Sequence, residues 1–134
     1  MILLDTCALI WYMRDAPISP RVLPLMDRCA LSGELYISPI SAWEIGTLVR
    51  RGRLHLDQPA AQWVAQVFER PDVQIAQLTP TIAIRSCLLP GEFHAGPADR
   101  FLMATAIEMG LRFVTRDQHI LDYGKQGYAS VLVC

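Results

Sequence analysis

The chain has 134 residues, 52% of them hydrophobic, with a mean hydropathy of +0.27 and a formal net charge of −1. That length suits a single domain, residues 1–134, with one good core. The near-neutral charge counts against a strong non-specific nucleic-acid binder, and no apolar run approaches the ~18 residues of a membrane span. Cys7, Cys29, Cys87 and Cys134 are widely and irregularly spaced, with no CxxC pair. They read as free thiols rather than a zinc site. Met1 to Asp5 shows no basic signal-peptide region, so a cytoplasmic location is expected.

Ile2-Leu3-Leu4 reads as a short buried strand that stops on Asp5. Asp5 either caps the helix that follows or sits at the ligand-binding edge of a parallel sheet. The first helix is expected from about Cys7 to Arg14, apolar nearly all round. A second is expected over Pro20 to Ser32, ended by Gly33. Leu35 to Ser38 reads as a strand. A third helix opens at Pro39 and Ser41 and runs to about Arg51. Glu44 lies one turn from both Ile40 and Leu48, on the apolar side, where a carboxylate is costly unless something meets it. Arg50, Arg51 or Arg53 could pair with it. These arginines and His55 form a basic cluster that is either a solvated face or a nucleic-acid contact.

Ala60 to Glu69 forms a fourth helix, Val73 to Leu78 a strand, and Thr81 to Leu88 a helix started by Pro80. The segment from Leu89 to Gly96 is a loop. Pro97 opens a helix to Met109, stopped by Gly110. Asp99 suits the first turn of that helix, yet it heads the buried row Leu102, Met103, Ala106 and Ile107. Arg112 to Thr115 is a strand. Asp117 can cap a helical turn from Gln118 to Leu121. Val131 to Val133 is a last edge strand.

Strands alternating with helices call for an α/β fold of three layers, α/β/α, around a mostly parallel sheet. Strand ends and helix starts then share one edge, where Asp5, Glu44, Asp99 and Asp117 can converge. Crowded carboxylates repel each other, and a hard divalent cation removes that repulsion. Carboxylate-held Mg²⁺ typically serves phosphoryl transfer. The chain shows no P-loop and no dinucleotide glycine pattern. A haloacid-dehalogenase nucleophile is discarded because Cys7 stands where its second Asp belongs.

Four blocks carry a resemblance: Leu3-Leu4-Asp5-Thr6, Ser41-Ala42-Trp43-Glu44-Ile45, Pro97-Ala98-Asp99-Arg100 and Thr115-Arg116-Asp117. Together they resemble the acidic blocks of PIN-domain ribonucleases. The stretch from His94 through Pro97 to Ala106 is most similar to the VapC-type toxins of toxin–antitoxin pairs. One departure is Gly96, where family members often carry Asp. The resemblance implies a PIN-like fold and a Mg²⁺- or Mn²⁺-dependent endoribonuclease. Asp5 and Asp99 would hold the ion directly and Asp117 directly or through water, with Glu44 orienting the attacking water. Thr6 and Thr115 would support these ligands. Arg100 and Arg116 would meet substrate phosphate or pair with neighbouring acids. The resemblance also implies an RNA substrate, a homodimer and a VapB-like antitoxin. That antitoxin would cover an apolar groove with candidate residues Trp11, Tyr12, Trp43, Leu48 and Val49, of which Trp43 reads better as core. A catalytically idle binding module of the same fold is the alternative.

Overall fold

A computed structural model describes residues 1–93 and 96–134. The chain runs β1 (Ile2–Leu4), α1 (Thr6–Met13), α2 (Leu23–Ser32), β2 (Leu35–Ile37), α3 (Pro39–Arg50) and α4 (Ala60–Phe68). It continues with β3 (Gln74–Ile75), α5 (Pro80–Cys87), α6 (Pro97–Met109), β4 (Arg112–Thr115), α7 (Gln118–Lys125) and β5 (Val131–Val133). The strands form one parallel sheet in the order β3-β2-β1-β4-β5.

Side chains of a strand alternate between faces, and the two cores follow that rule. Ile2, Leu4, Leu35, Ile37 and Val114 point into a core shared with α1 to α4, through residues such as Leu9, Met26, Ile45 and Val67. Leu3 and Phe113 point the other way, into a core with Ile82 of α5, Leu102 and Met103 of α6, and Tyr123 of α7. The three-layer expectation holds.

Several boundaries differ. The second helix starts at Leu23 rather than Pro20, because Pro24 fits only its first turn. The third strand keeps only Gln74 and Ile75 as paired residues, since only Tyr36 and Ile37 of short β2 lie beside it. The turn after Asp117 is a full helix to Lys125. Among the described residues no helix is long and apolar enough to cross a membrane.

Strand order reverses between β1 and β4. The chain steps from β1 outward through β2 and β3, then returns to β4 and β5 on the other side. Connections leave such a point in opposite directions and open a crevice outside the strand ends, where open α/β folds bind ligands.

Candidate active site

Asp5 and Thr115 end the two strands that flank this crevice. Asp5 extends the β1–β4 ladder, its amide donating to the Val114 carbonyl at 3.0 Å. Its side chain caps α1, with Oδ1 accepting from the Ala8 amide at 2.7 Å. Its other oxygen accepts the hydroxyl proton of fully buried Thr115. Thr115 Oγ1 in turn accepts from the Asp117 amide at 3.1 Å. Asp117 caps α7, Oδ1 accepting from His119 and Ile120 amides at 2.8 and 3.3 Å. Both acids thus cap helices that start at the same edge of the sheet.

Glu44 comes from the second turn of α3 and is half-buried. Among the described residues no arginine meets it; the Thr6 hydroxyl does. Thr6 Oγ1 also lies 3.0 Å from Ser41 Oγ. A hydroxyl carries one proton, so with Thr6 donating to the carboxylate, Ser41 donates to Thr6. Asp99, in the first turn of α6, completes the set. All four acids line one pocket of about 410 Å³, with Thr6, Cys7, Trp11 and Arg116 on its remaining wall.

Charge in this pocket is under strain. Burial pushes the Asp5 carboxyl up to about 6; the Thr115 and Ala8 hydrogen bonds oppose this, and the charges of Asp99 and Asp117 add to it. Burial likewise carries Asp99 to about 6, helped by Glu44 and Asp117. Glu44 is raised by burial and by Asp5, against the pull of the Thr6 bond. The Cys7 thiol is driven to about 11 by burial and by the charges of Asp5, Glu44 and Asp99.

Sequence profiles give the family. The PIN domain family matches residues 2–126.

This chain belongs to the PIN-domain family.

Within that family it is 33% identical over 124 residues to ribonuclease VapC22 of Mycobacterium tuberculosis, covering 91% of each chain. That likeness places this PIN domain among the VapC-type members. Solved structures resemble it in fold. A chain of the DNA-bound VapBC2 complex of Rickettsia felis matches with a TM-score of 0.71 at 15% identity, over 99% of this chain and 98% of that one. The Salmonella typhimurium VapBC complex matches at 0.69 and 17% identity, over 99% and 98% of the chains. FitAcB of Neisseria gonorrhoeae matches at 0.66 and 23%, over 98% and 96%.

Two expectations need correction in the PIN domain as it stands. Arg100 does not line the acid pocket. Its Nε donates to the Ser86 carbonyl and its Nη1 to the Phe93 carbonyl, both at 2.9 Å, with the guanidinium 6.0 Å over the Phe93 ring. One step around α6 from Asp99 turns it toward α5 and the loop after it. Trp43 is not core but 57% exposed. Trp11, Tyr12 and Leu48 are half-buried against the first core. Arg50, Arg51, Arg53 and His55 are all exposed at the far end of α3 and beyond. His94 lies outside the described residues. Gly96 caps α6 with no side-chain hydrogen bond, the bond an Asp there would supply.

Sequence reasoning did not foresee that Ser41 anchors the Thr6–Glu44 bond or that Trp11 and Arg116 stack at the pocket wall. Ser41 could have been found from its place one helical turn before Glu44. The Trp11–Arg116 contact joins distant elements and leaves no local pattern.

Among the described residues no three carboxylate, cysteine or histidine groups stand close enough to cage an ion unaided. The donor set is nonetheless all carboxylate oxygen and electrostatically strained. It fits a hard cation that keeps part of its water shell, as Mg²⁺ does.

Proposed function

We propose that this PIN domain is a divalent-metal-dependent endoribonuclease and the toxin of a toxin–antitoxin pair. The observation that carries this reading is the gathering of Asp5, Glu44, Asp99 and Asp117 on one pocket at the switch point of the sheet. The kinship with a ribonuclease VapC supports RNA as the substrate.

Asp5 and Asp99 would hold Mg²⁺ or Mn²⁺, with Asp117 joining directly or through water. Such an ion supplies hydroxide near neutral pH and neutralises charge on the phosphate under attack. Thr115 fixes the Asp5 carboxylate by donating to one oxygen, and the α1 amide fixes the other. Thr6 orients Glu44 and leaves its second oxygen for a water. The raised pKa of Glu44 suits a base that takes a proton from that water. Arg116 is the only cation among the described pocket-lining residues and would meet substrate phosphate.

A partner protein is supported by a second cavity of about 530 Å³ beside α1 and α2, where Tyr12, Met13, Ile18 and Leu23 share the wall with Asp15, Asp27 and Arg70. A homodimer is supported by Ile84 and Leu88, which stand 63% and 73% exposed on or just past α5. Light scattering of the purified chain measures that state.

The direct test is to induce the protein in a bacterial host beside Asp99→Asn and map new RNA ends within minutes. Growth arrest with discrete cuts, lost in the variant, is the expected result. Arrest that survives the variant without new ends would instead mark an idle binding module.

A further inference from the structure

Arg116 shares a pocket wall with four carboxylates, yet it forms no ion pair with any of them among the described residues. Something holds it away. Its Nη2 donates to the Pro17 carbonyl at 3.2 Å and to the Cys134 main-chain oxygen at 2.9 Å. Its guanidinium carbon lies 4.0 Å from the centroid of the Trp11 ring. Trp11 is itself half-buried against the first core, so the platform is fixed. The Cys134 main-chain oxygen is fixed too, since it also accepts from the Ser19 amide at 2.9 Å.

This arrangement leaves a defined set of donors. Nη2 spends its protons on the two main-chain oxygens, which leaves Nε and Nη1, on separate edges of the guanidinium, as the donors for anything else. Each can meet a phosphate oxygen through one charge-assisted N–H bond. A free arginine at this spot would collapse onto Asp117 or Asp99, and the pocket would present only negative charge to a polyanion. Held as it is, the guanidinium offers one fixed positive point beside the acids.

We infer that Trp11 and Arg116 act as one grip for a backbone phosphate of single-stranded RNA, with Trp11 a positioning residue that works through Arg116. This rests on the ribonuclease reading, and it adds a residue that no acidic block contains. Trp11 holds the guanidinium face by cation–π attraction and apolar contact, and the two main-chain oxygens fix its rotation. The entropy of ordering a long arginine side chain is lost on folding instead of on binding.

The test is equilibrium binding of a short, fluorescent, mixed-sequence single-stranded oligoribonucleotide, read by anisotropy over a salt series. It is made with Mg²⁺ on an Asp99→Asn background that does not cut, and thermal melting checks each variant's fold. Arg116→Gln is expected to weaken binding about tenfold and to lower the salt slope by about 0.7, the value of one phosphate on a single strand. Trp11→Leu should show the same lowered slope and most of the same loss, and Trp11→Phe, which keeps a ring face, should retain binding. On the Arg116→Gln background Trp11→Leu should add nothing further.

Unchanged binding and slope in Arg116→Gln would overturn the grip. Losses that add in the double variant, or a Trp11→Phe as weak as Trp11→Leu, would overturn the role of Trp11. A parent that binds no RNA at all would sink the ribonuclease reading itself, and the grip with it.

Discussion

Thr115 touches two of the four acids with one buried hydroxyl, donating to Asp5 and accepting from the Asp117 amide. Thr115→Val keeps the shape but removes both bonds. A buried acceptor left without its donor costs about 1–3 kcal/mol, and more when the acceptor is charged. The Thr115 bond also holds the Asp5 carboxyl down against burial, so its loss lets that carboxyl rise further. Urea melts should therefore show Thr115→Val destabilised by about 1–3 kcal/mol at neutral pH. The loss should be smaller at acid pH, where Asp5 is protonated and needs the donor less. Equal losses at both pH values would mean that Thr115 matters only by packing. The two threonines were legible because each lies within two residues of an acid at a strand end. What each hydroxyl bonds was not, because Thr115 reaches across 110 residues and Thr6 across 38.

The elements were more legible than their ends. Strand–helix alternation gave the parallel sheet, but α7 outran its expected stop at Leu121 and continues through Gly124. That glycine is there for room. A Cβ built on it would lie 2.6 Å from Val131 Cγ2 and 2.9 Å from Val131 Cβ, so α7 rests directly on β5. In an open helix Gly→Ala gains about 1 kcal/mol. Here overpacking of about 1–3 kcal/mol outweighs that gain. Gly124→Ala should lower stability in thermal melts, and adding Val131→Ala should recover part of the loss. A stabilised single variant would show that the two elements can part freely. Helix phase explains the misplacement of Trp43. At ~100° per residue it lies roughly 160° around α3 from both Ser41 and Ile45, the two buried positions of that helix. The expected apolar side took in Trp43 together with Ile40, Ile45, Leu48 and Val49, whereas the fully buried face runs through Ser41 and Ile45. Glu44 sits on the flank of that face, which is how it reaches Thr6.

At the scale of the molecule, the pocket's unpaired charge works against the fold. Asp5 and Asp99 rise from an ordinary 3.8 to about 6 on folding, so the folded state holds their protons more tightly than the unfolded chain does. Linkage fixes the sign. This contribution is fully present below about pH 4 and is lost as pH rises through about 6, leaving the neutral-pH fold weaker. With Asp99 half-exposed and the two sites coupled, the loss is on the order of 1–3 kcal/mol in all. Other carboxylates titrate in the same range, so the informative quantity is the difference between the parent and Asp99→Asn. With chelator present, that difference should grow in favour of the variant between about pH 4 and 6 and then level off. On the metal-dependent reading proposed above, Mg²⁺ held by the same charges should raise the folded parent's melting temperature above pH ~7. The rise should shrink toward pH ~5, as protons displace the ion, and should be far smaller in Asp99→Asn. If Mg²⁺ left the parent's melting unchanged at neutral pH while the variant was still the more stable, the acids would repel one another as argued yet hold no ion. The metal-dependent reading would then have to be given up, even though the pocket itself stood.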